Sequence, residues 1–115
     1  MQIIDPKEQS LTDRKFPPVK PSELPEYEGI IEAMRDSQIE RCLLFGSTAR
    51  GERREDSDID LFIVIRDGDL LWKLWSFEKA LRDRYPHVEF DVTTTLAPFV
   101  FENAIKDFKE IHRGQ

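Results

Sequence analysis

The sequence predicts an α/β protein, in the α+β sense: a small mixed β-sheet with helices packed largely on one side. Three observations predict it. Two apolar runs, residues 42–45 and 61–65, have the length of buried strands and enclose a polar, charged segment. Residues 88–93 alternate, with Val88, Phe90 and Val92 on one face and Glu89, Asp91 and Thr93 on the other. Around these runs, apolar residues recur at helical spacing.

In chain order, residues 1–25 hold five of the seven prolines and read as an extended arm or loop packed over a domain formed by residues 26–115, or as a partly disordered tail. Within the arm, Gln2, Ile3 and Ile4 could add a short edge strand. Residues 26–36 form a helix with Tyr27, Ile30, Ile31 and Met34 in one stripe, slightly weakened by Gly29. Residues 38–45 are the first strand, and residues 48–54 a short helix and loop. After the second strand, Asp67 and Gly68 make a turn and Asp69 caps a long helix. Its Leu70, Leu74, Phe77, Leu81 and Tyr85 recur every three or four residues, and Pro86 ends it. Trp72 and Trp75 lie at the edge of that stripe, a candidate partner surface where exposed. The alternating strand follows. A last helix is expected over residues 97–112, with Pro98 in its first turn and Phe101, Ala104, Ile105, Phe108 and Ile111 buried.

Composition narrows the function. The 115 residues suffice for one domain with a modest core. A net charge of -6 argues against tight, non-specific nucleic-acid binding but tolerates a nucleotide carried on metal ions. The single cysteine, Cys42, cannot form an internal disulfide and reads as a core residue. No apolar run reaches membrane-spanning length and no signal peptide is visible, so a soluble, cytoplasmic protein is expected. His87 and His112 lack metal-ligand spacing.

The chemistry lies in residues 43–64. Asp58 and Asp60, two apart at the mouth of an apolar strand, point to one face and repel each other. A divalent cation removes that penalty, and clustered hard oxygen ligands suit Mg²⁺ or Mn²⁺. Gly46 ends the preceding strand and lets the backbone approach a ligand, while Ser47 and the following N–H groups suit a phosphate. A phosphate-binding turn beside a metal-binding acid pair reads as phosphoryl or nucleotidyl transfer. Asp91 is a third acid on a strand whose polar face could meet the pair, with Glu89 its rival. Arg50, Arg53 and Arg54 read either as a solvated charged turn or, Arg50 above all, as triphosphate contacts.

Gly46-Ser47, ten intervening residues, then Asp58-Ile59-Asp60 resembles the signature of the polymerase-beta-type nucleotidyltransferase superfamily. The fuller stretch, FGSTARGERREDSDIDLFI, is similar to the minimal nucleotidyltransferases of bacteria and archaea. Gly46, Ser47, Ala49, Arg50, Gly51, Ser57, Asp58, Asp60 and Leu61 fall where that family has them. The resemblance implies a nucleotidyltransferase fold over residues 26–115. It implies two Mg²⁺ ions on Asp58, Asp60 and Asp91, which would be the catalytic residues, and ATP bound through Gly46, Ser47, Arg50 and Ser57. It further implies transfer of AMP to a hydroxyl acceptor, a tyrosine of a small helical HEPN-type toxin, with this chain acting as antitoxin. The acidic surface suits a basic, ribonuclease-like partner, and homo- and hetero-oligomers are both compatible with it. Two other readings stay open: a non-catalytic module that sequesters its partner, and a small-molecule nucleotidyltransferase acting on an antibiotic.

Overall fold

The computed structural model describes residues 15–54, 56–65, 68–94 and 98–111. The edge strand expected at residues 2–4, Asp67 of the turn and His112 lie outside the described residues. The elements run α1 (Tyr27–Asp36), β1 (Arg41–Phe45), α2 (Gly46–Ala49), β2 (Ile59–Val64), α3 (Leu70–Arg84), β3 (Phe90–Thr93), α4 (Pro98–Ala104) and β4 (Lys109–Ile111). The sheet is mixed, in the order β3-β2-β1-β4. β1 pairs antiparallel with both β2 and β4, while β2 and β3 are parallel and joined by the α3 crossover.

Strand alternation divides the core. Cys42 and Leu44 of β1 and Ile59, Leu61 and Ile63 of β2 face α1 and α3, where they meet Ile30, Met34, Phe77 and Leu81. Leu43 and Phe62 face the other way, onto Phe101, Ala104 and Phe108. The two longer helices thus share one face, and α4 covers the other. Among the described residues no helix is long and apolar enough to cross a membrane.

Asp69 caps α3 as expected, accepting a hydrogen bond from the Trp72 N–H at 3.0 Å. The inward side of α3 is narrow. Leu71, Trp72 and Trp75 are 75%, 45% and 55% exposed. Gly29 in α1 has a packing reason, because a Cβ there would collide with the Tyr85 ring and hydroxyl at the end of α3.

Three expectations are corrected. The single helix over residues 97–112 is instead α4, a turn and β4. The physical reason is the outer edge of β1, whose backbone groups need partners that a strand supplies and a helix cannot. Arg41 locks the pairing with two hydrogen bonds to the Glu110 carboxylate, both 2.8 Å. Phe108 and Ile111, expected on one helical stripe, are buried on opposite faces of the sheet. The short helix of the motif starts at Gly46 and stops at Ala49, two residues earlier than expected at its start. The described part of the arm is stapled down: the Val19 N–H donates to the Glu110 carbonyl and the Glu110 N–H to the Pro17 carbonyl, both at 2.8 Å. Val19 and Leu24 are buried in the same core as α1 and α3.

Candidate active site

The site begins where β1 ends. Gly46 has φ 78°, in the region that favours glycine. A Cβ at this position would also collide with the Asp60 carboxylate. The turn therefore needs glycine twice, for its backbone angle and for the closeness of the acid. Ser47 lies in the first turn of the four-residue α2, where N–H groups lack intrahelical partners. The Thr48 hydroxyl oxygen is buried and has no hydrogen-bond partner among the described residues.

Strand register sets the acids. Asp60 is opposite Phe45 on β1 and opposite Asp91 on β3. It alternates with buried Ile59 and Leu61, so it points to the α4 side of the sheet. Asp58 is exposed just before β2, and Asp91 is exposed on β3. Burial pushes the Asp60 carboxyl up to about 6; the Asp91 and Asp58 charges add to this and Arg50 partly offsets it. Of the two rival acids, Asp91 is the one on β3 and in register with Asp60. Glu89 precedes β3, its carbonyl accepts the Ile59 N–H at 2.9 Å, and its residue borders a separate small cleft with Glu78 and Arg82.

The loop between α2 and β2 is tied at three points. The Ser57 hydroxyl accepts the Arg54 N–H at 2.9 Å and the Ser57 N–H donates to the Arg54 carbonyl at 3.0 Å, closing a turn before Asp58. Arg53 makes a two-bond fork, 2.7 and 3.0 Å, to the buried carboxylate of Glu26. Exposed Arg50 donates from Nη1 to Asp107 at 2.7 Å and from Nε to Glu52 at 3.1 Å. Those carboxylates hold the Arg50 and Arg53 guanidinium groups still more firmly protonated. Glu26 and Asp107 carry no local signal in the sequence; their link to the motif exists only through the fold.

Gly46, Asp60, Asp91 and, through charge, Asp58 and Arg50 thus come together at one end of the sheet. Among the described residues, however, no three ligating side chains are gathered closely enough to hold a metal ion by themselves.

A family model described as the nucleotidyltransferase domain matches residues 27–113. A Methanocaldococcus jannaschii protein named as a candidate protein adenylyltransferase is 28% identical over 81 residues, 70% of this chain and 78% of its own length. A solved structure described as a candidate minimal nucleotidyltransferase superposes with a TM-score of 0.62 at 30% identity, covering 73% of this chain and 87% of the other. A toxin–antitoxin structure with AMP-PNP shares the fold, with a TM-score of 0.61 at 21% identity and coverage of 77% and 74%. The family match spans the Gly46 turn and all three aspartates. The chain accordingly belongs to the nucleotidyltransferase-domain family, among its minimal members, and is a nucleotidyltransferase.

Proposed function

We propose that this chain transfers AMP from ATP to a hydroxyl on a partner protein, a tyrosine of a small helical HEPN-type toxin, and thereby acts as a cytoplasmic antitoxin. The observation that carries the reading is the register pair Asp60–Asp91 beside the Gly46 turn. The relative named for protein adenylylation supports the acceptor class, and the toxin–antitoxin fold neighbour is compatible with the partner class.

The residues fit a divalent metal. Asp60 is held near 6 by burial and two neighbouring carboxylates, a repulsion that a cation relieves. The donor set is all carboxylate oxygen, which suits Mg²⁺ with phosphate oxygens and water completing the shell, in keeping with the lack of a ready-made three-ligand group among the described residues. Asp58, Asp60 and Asp91 would hold it. When bound, the metal supplies Lewis-acid stabilisation of the α-phosphate and the leaving pyrophosphate and makes the acceptor hydroxyl more acidic.

The chain's own residues do the rest. Gly46 and Ser47 receive the outer phosphates against the first-turn N–H groups of α2. Arg50 adds positive charge, and Ser57 shapes the approach to Asp58. The acceptor oxygen attacks the α-phosphorus, the bond to the bridging oxygen breaks, and Asp91, exposed on β3, takes the acceptor proton. Incubation with labelled ATP, Mg²⁺ and the protein encoded by the adjacent gene tests this. Label on that protein, lost with Asp58→Asn, is expected. Tight binding without label in the parent chain would replace this reading with sequestration. Label on an aminoglycoside alone would move the acceptor to the small-molecule class.

A further inference from the structure

Arg50 belongs to the motif, yet its guanidinium is held by a residue 57 positions away in sequence, Asp107. Its two holders differ in rigidity. Glu52 is two residues along the same loop and its side chain is 63% exposed. The Asp107 side chain is 19% exposed, in the turn between α4 and β4. That turn is anchored: the Asp107 N–H donates to the Ala104 carbonyl at 2.8 Å, and the next residue, Phe108, is buried against Phe45, Phe62 and Phe101. A carboxylate on an anchored turn fixes its partner, whereas one on an exposed loop loses side-chain entropy in doing so.

The bond to Asp107 leaves part of the guanidinium open. Nη1 and Nε are used, and Nη2 makes no hydrogen bond among the described residues. The Arg50–Asp107 pair also borders a cleft to which Lys106 and Lys109 contribute, Lys109 lying 3.9 Å from the Glu23 carboxylate.

We propose that Asp107 is a positioning residue for nucleotide binding: it holds the Arg50 guanidinium at the motif, where phosphate oxygens take up the donors that Asp107 leaves open. The proposal rests on the nucleotide-transfer reading of the same site. It has a rival of opposite sign, in which Asp107 and Glu52 keep Arg50 occupied and must be displaced by phosphate.

Calorimetric titration of a non-hydrolysable ATP analogue with Mg²⁺ separates them, using the parent chain, D107A, D107N, R50A and R50A/D107A. We expect D107A and D107N each to weaken nucleotide binding about tenfold, the scale of one charge-assisted hydrogen bond. On the R50A background, removing Asp107 changes affinity no further. In turnover, KM for ATP rises while kcat stays within about twofold. D107N keeps the side chain's shape and decides the matter if D107A melts early. Tighter or unchanged binding in D107N, or a loss that adds to that of R50A, overturns the proposal alone. No nucleotide uptake by the parent chain overturns the functional reading and this proposal with it.

Discussion

Two residues of the site carry opposing constraints that a mutation exposes at once. Gly46 combines φ 78° with an acid where a Cβ would go. Gly46→Ala should therefore lower stability by about 1–3 kcal/mol in a denaturant melt and displace Asp60 from its place beside Asp91, with loss of transfer. Asp60 binds a proton more tightly in the folded chain than in the unfolded one, with its pKa raised from 3.8 to about 6. Stability from this group is fullest below 3.8 and is lost as pH rises to about 6, because the folded state must give up a proton that the unfolded state has already released. In metal-free buffer, Asp60→Asn should raise the melting temperature at about pH 7.5, and the gain should vanish as the pH is lowered towards 4. A gain that persists at low pH would point to packing instead.

At the scale of elements, what could be read from the sequence depended on how local the cause was. The α3 stripe and the Asp69 cap are nearest-turn effects; the cap stands as expected, and the stripe is buried at Phe77 and Leu81 but not at Leu70, which is exposed in the first turn. β2 and β3 also stand where the sequence pattern puts them, β2 as a run buried on both faces and β3 as an alternating strand. β4 could not be read that way. Its three residues continue a helical spacing, and only the open edge of β1, far upstream in the chain, makes a strand the better outcome. Gly29 is a similar case: alone it looks like a helix-weakening residue, and in the fold it makes room for Tyr85. Gly29→Ala should accordingly destabilise the chain by about 1–3 kcal/mol, against its better helix propensity, and thermal melting will show it. If instead the variant is stabilised, Tyr85 has room to move aside.

For the whole molecule, the motif gave the candidate site its turn and two of its acids, because those residues are close in sequence, and strand register brought Asp91 to them. Tertiary partners gave it its rigidity. The loop before Asp58 is held from two directions, by Glu26 at the start of α1 and by Asp107 before β4. Arg53→Ala leaves the buried Glu26 carboxylate without its fork and should cost about 2–3 kcal/mol, read by chemical denaturation; Glu26→Gln with Arg53→Met should recover part of it. The outward-turned side of α3 has an optical consequence. Both indoles of the chain sit there rather than in the core. Intrinsic emission should already be red-shifted and readily quenched by acrylamide in the native state, so it will report poorly on unfolding. A blue shift on mixing with another protein would then be a direct signal that this flank has been covered.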